Sequence, residues 1–147
     1  MALLIPILLV FFAGAMVAAQ APTNSMLAKA GGSPILAALI SFCVGTVALL
    51  LVWLATPNRP GVSAFAGLPW YAWIGGFYGA VFVAVAAYVA PRIGVASLIT
   101  IGIAGQIAMA LMLDHFGALG LEREPINFGR VAGAVLVIAG VVLVRRS

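Results

Sequence analysis

Gln20 and Asn24 are amide side chains four residues apart, in a stretch that carries no charged residue before Lys29. On one helix that spacing puts both on the same face, and Pro22 between them removes a backbone hydrogen bond and favours a kink. A carboxamide donates and accepts hydrogen bonds without carrying charge. In a medium that offers no water, such groups belong against protein or in a wet cavity, where they can replace the hydration shell of a polar solute. Ser41, Gly76 and Gln106, each inside a later apolar run, extend this candidate cavity-lining set. Gly76 would bring bare backbone against a solute, although close helix packing is the commoner use of such a glycine. The amides have a plain alternative role as ties between helices, worth about 0.6–2 kcal/mol each in a membrane.

Asp114 and His115 form the other candidate site. They stand side by side at the end of an apolar run, and His115 is the sole histidine. If a proton gradient is used, this is the acidic site available at a helix end. Neighbouring helical residues point about 100° apart, so the two need not pair, and a carboxylate capped by local backbone is the commoner arrangement.

The elements that must position these residues follow from composition. Of 147 residues, 65% are hydrophobic and 7% charged, with a mean hydropathy of +1.27, whereas a soluble domain carries roughly a quarter charged residues. An all-α integral membrane protein is expected, a single membrane domain over 1–147 with five transmembrane helices. A crossing needs about 20 apolar residues, and the apolar runs place the spans at about 3–30 with a kink near Pro22, 34–55, 69–90, 94–113 and 128–144. The first run lacks a basic leader and exceeds the apolar core of a cleavable signal, so it is expected to be a retained span. Ser33-Pro34 after Gly31-Gly32 predicts a tight hairpin, with serine as the cap and proline in the first helical turn. Trp70, Tyr71 and Trp73 suit an interfacial belt at the start of the third span, and Asn127 is a plausible cap for the fifth. Glycine pairs at small-xxx-small spacing, Gly75 with Gly79 and Gly129 with Gly133, and the heptad pair Gly133 and Gly140, mark surfaces for helix packing or dimer contact.

Seven Lys/Arg against three Asp/Glu give a net charge of +4. The bases sit near the ends of apolar runs and form no patch of the kind nucleic acid requires, so no nucleic-acid partner is expected. They anchor helices among lipid headgroups. The single cysteine, Cys43, excludes an internal disulfide and reads as a small apolar residue. Glu122, Arg123 and Glu124 read as a solvated turn whose charges offset one another. With five spans, Arg59, Arg123 and Arg130 fall on one side of the membrane and Lys29, Arg92, Arg145 and Arg146 on the other. Orientation follows the excess of bases in cytoplasmic loops, and three against four is nearly balanced. Insertion in both orientations would let two copies pair as an antiparallel homodimer of ten helices, an inverted symmetry that larger transporters encode in one chain. Fixed insertion, with the terminal arginine pair inside, is the rival expectation.

An ordered set of motifs runs through nearly the whole chain: Gln20-x3-Asn24-x2-Leu27, Gly32-Ser33-Pro34, Ser41-Phe42-x2-Gly45, Trp73-x-Gly75-Gly76-x2-Gly79-Ala80, Ala90-Pro91-x2-Gly94, Gly105-Gln106 and Asp114-His115-Phe116-Gly117-x2-Gly120. The set resembles the YdcZ-type family of five-span inner-membrane proteins within the drug/metabolite transporter superfamily. The resemblance implies a bacterial cytoplasmic membrane location, a dimer or a paired or fused partner, and an export role with a poorly defined substrate. It further implies kinship with the four-span small multidrug transporters, whose last span dimerises through a glycine heptad similar to Gly133 and Gly140. Those relatives carry a buried glutamate in span one that exchanges protons for substrate, and span one here has no acid.

The leading functional expectation is a secondary transporter, exporting a small polar or cationic metabolite by alternating access around Gln20, Asn24, Ser41, Gly76 and Gln106. A passive channel would need a more continuous polar lining. A non-transporting scaffold would act through the glycine seams. An enzyme is not expected: the sequence holds no paired carboxylates, nucleophile with a base, metal-ligand cluster or cofactor-cradling loop.

Overall fold

The structure, a computed structural model, describes residues 3–57 and 60–146. Arg59, one of the basic anchors counted above, lies outside the described residues. Five α-helices follow in order: α1 (Leu4–Gly31), α2 (Pro34–Ala55), α3 (Gly75–Ile93), α4 (Val95–Phe116) and α5 (Phe128–Arg146). No strand occurs among the described residues. α1 to α4 are each long and apolar enough to cross a membrane, and α5 carries a shorter apolar stretch, Phe128–Val144. The protein is thus an all-α, five-helix membrane protein. The chain divides into two compact units, residues 1–92 and 93–147.

In the first unit the expected α1–α2 hairpin is present. Gly32 takes φ 69°, a left-handed conformation that ends α1 without the penalty a Cβ would bring. Ser33 then caps α2, its hydroxyl accepting from the Leu36 N–H at 3.2 Å, with Pro34 in the first turn. Small side chains form the core: Ala21, Asn24 and Ser25 from α1, Ala37 and Ala38 from α2, and Val83, Ala86, Ala87 and Ala90 from α3. Without a hydrophobic drive between helices in lipid, small residues gain stability by letting backbones approach closely. Gly79 shows the same logic, since a Cβ there would come within 3.2 Å of the Phe42 ring. Large aliphatic side chains along α1 and α2 stay exposed, as lipid-facing residues do.

α3 departs from expectation at both ends. The third span was expected from Pro69, but Trp70–Trp73 folds as a separate 3-10 turn and α3 starts at Gly75. Around this turn the aromatic rings meet one another, Trp70 with Tyr71 at 6.0 Å between centres and Trp73 with Phe65 at 5.9 Å. At the other end α3 runs through Pro91 to Ile93 rather than stopping at Ala90. Pro91 has no N–H for the Ala87 carbonyl four residues back, and Ser25 of α1 reaches that vacancy, its one hydroxyl proton shared between the Ala87 oxygen at 3.1 Å and the Ala21 oxygen of its own helix at 2.9 Å. α1 also continues through Pro22, which leaves the Ala18 carbonyl without its helical donor. Ser25→Ala is expected to destabilise the protein by about 1–3 kcal/mol by orphaning the buried Ala87 carbonyl. In a Pro91→Ala background, where the helix recovers its own donor, the same substitution should cost much less. Thermal unfolding of the four proteins measures this coupling, and equal costs in both backgrounds would refute it.

In the second unit α4 and α5 pack on one another. Half-buried stripes at helical spacing run along both, Thr100, Ala104, Ile107, Leu111 and Asp114 on α4 and Arg130, Ala134, Val137 and Val141 on α5. Asn127 caps α5 as expected, its Oδ1 accepting from the Arg130 N–H at 3.0 Å.

Candidate functional site

Within the first unit, α1 and α2 bring Gln20 and Ser41 together. The Gln20 amide nitrogen donates to the Ser41 Oγ at 3.3 Å, and both residues are half-buried. One N–H and the carbonyl oxygen of Gln20 stay available, as does the Ser41 proton. An open, mostly apolar depression of about 460 Å³ lies against Gln20, lined by Met16, Val17, Ala19 and Thr23.

Asn24 lies one helical turn further on and is 3% exposed. Among the described residues its side chain makes no hydrogen bond, although no side-chain polar atom is both sealed from solvent and without a partner. A carboxamide has four hydrogen-bonding positions, and none is engaged here by protein. Its amide atoms keep a little accessible surface rather than being sealed, so they stay open to a partner from outside the described residues. The tie-between-helices role therefore fits Gln20 and does not fit Asn24.

Gly76 is exposed on α3, with no atom within 4 Å of the place a Cβ would take, so bare backbone is open there. Gly75 is open in the same way, and of that glycine pair only Gly79 meets another helix. In the second unit Gln106 is exposed on α4 and makes no side-chain hydrogen bond among the described residues. Gly133 and Gly140 on α5 have no atom within 4 Å of a Cβ position, and Gly129 meets only the Asn127 side chain at 3.4 Å. Among the described residues no other helix reaches the Cβ positions of these three α5 glycines.

Asp114 and His115 do not pair with each other among the described residues; each clasps the α4–α5 loop instead. Gly117, at φ 60°, ends α4 in a left-handed turn. The Asp114 carbonyl then accepts from the Glu124 N–H at 2.8 Å. The Asp114 carboxylate meets the Arg130 guanidinium at 3.3 Å, which also binds the Glu124 carboxylate. Local backbone capping was the expectation for Asp114; its carboxylate instead reaches an arginine on α5. His115 Nδ1 accepts from the Ile126 N–H at 3.2 Å, and its carbonyl accepts from Arg123 at 3.1 Å. Glu122–Glu124 is therefore more than a solvated turn, since two of its three charged residues bind α4 or α5. Asp114→Asn should lower stability by less than about 1 kcal/mol, because the pair is partly solvated, with side chains 28% and 36% exposed. A thermal shift corresponding to several kcal/mol would contradict this.

Sequence reasoning missed Ser25 and Arg130. Ser25 was legible only through Pro91, whose missing N–H demands an outside donor. Arg130 was counted as an anchor, and its two acidic partners lie six and sixteen residues away across a loop whose path the sequence does not specify.

Apolar helices with small-residue cores, joined by short connections that carry the charged side chains, define a multi-pass membrane protein. The chain matches over residues 5–143 the family described as "Putative inner membrane exporter, YdcZ", and it belongs to that family. It is 30% identical over 117 residues to the inner membrane protein YdcZ of Escherichia coli (strain K12), covering 76% of this chain and 75% of the relative. No solved structure matches it. Membership places the chain in the inner membrane, in contact with lipid, in a family whose description is that of a membrane exporter.

Proposed function

We propose that the chain is one protomer of an antiparallel homodimer that exports a small polar metabolite by alternating access, with Gln20, Asn24, Ser41 and Gly76 lining the route. The observation that carries this reading is Asn24, a buried amide with its hydrogen-bonding positions open beside a partly engaged Gln20–Ser41 pair. Such a site offers hydrogen bonds and no charge. All three acidic side chains fall within residues 114–124, and a second identical copy adds none to the spans. The solute is therefore polar and uncharged rather than cationic, since a cation would enter without a counter-charge.

The second copy is supported by what the single chain leaves open. Gln106 is an exposed amide that lipid cannot satisfy, and Gly133 and Gly140 have space at their Cβ positions that no atom of the described residues fills. Gly133→Leu should convert the dimer to monomer without lowering secondary structure, measured by size-exclusion with light scattering and circular dichroism. An unchanged dimer would remove the seam from the interface. Asp114 and His115 act in this reading as loop clasps, so Asp114→Asn keeps transport and its response to a pH gradient.

Transport itself is tested in proteoliposomes loaded with a bacterial metabolite extract, following by mass spectrometry which solutes leave only when protein is present. Selective loss of neutral polar solutes is expected. No loss beyond that from protein-free vesicles would leave the scaffold role in its place, and discrete conductance in a voltage-clamped bilayer would show a channel.

A further inference from the structure

A second pocket, of about 540 Å³, lies in the first unit where the α1–α2 hairpin meets the end of α3. Its body is apolar, made by Ala28, Pro34, Ala87 and Pro91, while Lys29 and Arg92 also line it. Arg92 lies over the Tyr88 ring, 3.5 Å from its centre, and donates to the Tyr88 carbonyl. That leaves most of its five N–H groups free for another acceptor. Lys29 has no partner among the described residues.

The charge of this pocket is not balanced by protein. No acidic side chain occurs anywhere in residues 1–113, so the first unit has none to offer. Lys29 and Arg92 stand in the last turns of α1 and α3, and each helix end supplies roughly half a negative charge. Two unit charges and the positive half at the start of α2, whose Pro34 lines the pocket, against the two negative halves leave between about one and two positive charges, enough to hold one phosphodiester. The interior adds little for a soluble anion: Ser25, also in the lining, gives its proton to the Ala21 and Ala87 carbonyls. A free phosphate entering there would lose water without gaining donors at depth.

We infer that this pocket binds one acidic phospholipid per chain, the phosphate held between Lys29 and Arg92 and the glycerol region against Ala28, Pro34 and Ala87. The site needs neither transport nor a dimer, so it stands or falls apart from the exporter reading.

The test is native mass spectrometry of the purified full chain with equimolar phosphatidylglycerol and phosphatidylethanolamine. Wild type should retain one phosphatidylglycerol per chain with a preference on the order of tenfold or more. Lys29→Gln with Arg92→Gln should bring the preference close to unity. Ala28→Trp, which keeps both charges and fills the interior, should abolish retention while circular dichroism stays unchanged. Undiminished preference in both variants overturns the site. Displacement of the lipid by millimolar inorganic phosphate overturns the phospholipid assignment, because it would show that the apolar interior contributes nothing.

Discussion

Asn24→Ala is expected to lower protein-dependent efflux by about one to two orders of magnitude while leaving thermal stability and membrane yield close to wild type. The magnitude follows from removing a buried hydrogen-bonding group from a desolvated solute, which costs about 1–3 kcal/mol. The contrast with stability follows from the structure: Asn24 is 3% exposed and ties no helix to another among the described residues, so truncation breaks no side-chain bond. Gln20→Ala is the informative companion. Gln20 is already bonded to Ser41, so its loss costs about 0.6–2 kcal/mol of helix association and should appear partly as lowered stability. Efflux from proteoliposomes, together with unfolding curves, separates the two residues. If Asn24→Ala unfolds early and exports normally, Asn24 is a packing residue and the proposed route loses its centre.

Much of this architecture was legible because bilayer dimensions are so restrictive. An uncharged run of this length admits little besides a spanning helix, and Gly32, Ser33 and Pro34 each obey a local steric or capping rule that operates within a few residues. Gln20 and Asn24 could be picked out for the same reason, since an amide in such a run is conspicuous. Which of the two is tied to a helix and which is open could not be read, because Ser41 lies 21 residues away and its rotation about α2 depends on packing. The start of α3 was misplaced because composition does not distinguish a 3-10 turn of tryptophans from the first turn of an α-helix. The end of α3 was misplaced because the cost of Pro91 is removed by Ser25, sixty-two residues earlier in sequence. Local rules predicted a stop there, and a tertiary hydrogen bond cancelled the reason for one. The α4–α5 loop illustrates a similar gap: its charges were visible, but their pairing with Arg130 depends on how Gly117 turns the chain.

A C-terminal fusion is expected to report from both sides of the membrane, giving substantial signal from a reporter that fluoresces only inside and from a phosphatase active only outside. Three bases on one side of a five-helix chain and four on the other give the insertion machinery almost no preference. That near balance makes orientation responsive to single charges. Arg145→Gln with Arg146→Gln leaves two bases beside the C-terminus against three opposite, so the C-terminus should move outside in most molecules. Ala30→Lys raises the same side to five against three and should hold the C-terminus inside. Two oppositely inserted copies can then face each other through Gly133 and Gly140, whose Cβ positions no atom of the described residues approaches. In that case each orientation-locked variant alone should export poorly, and co-expression of the two should restore export, because only the mixture contains antiparallel pairs. A wild-type fusion that reports from one compartment, or a locked variant that exports at full rate by itself, would exclude the antiparallel homodimer; either outcome leaves the five-helix fold and the open amide of Asn24 to be explained by a parallel or heteromeric partner.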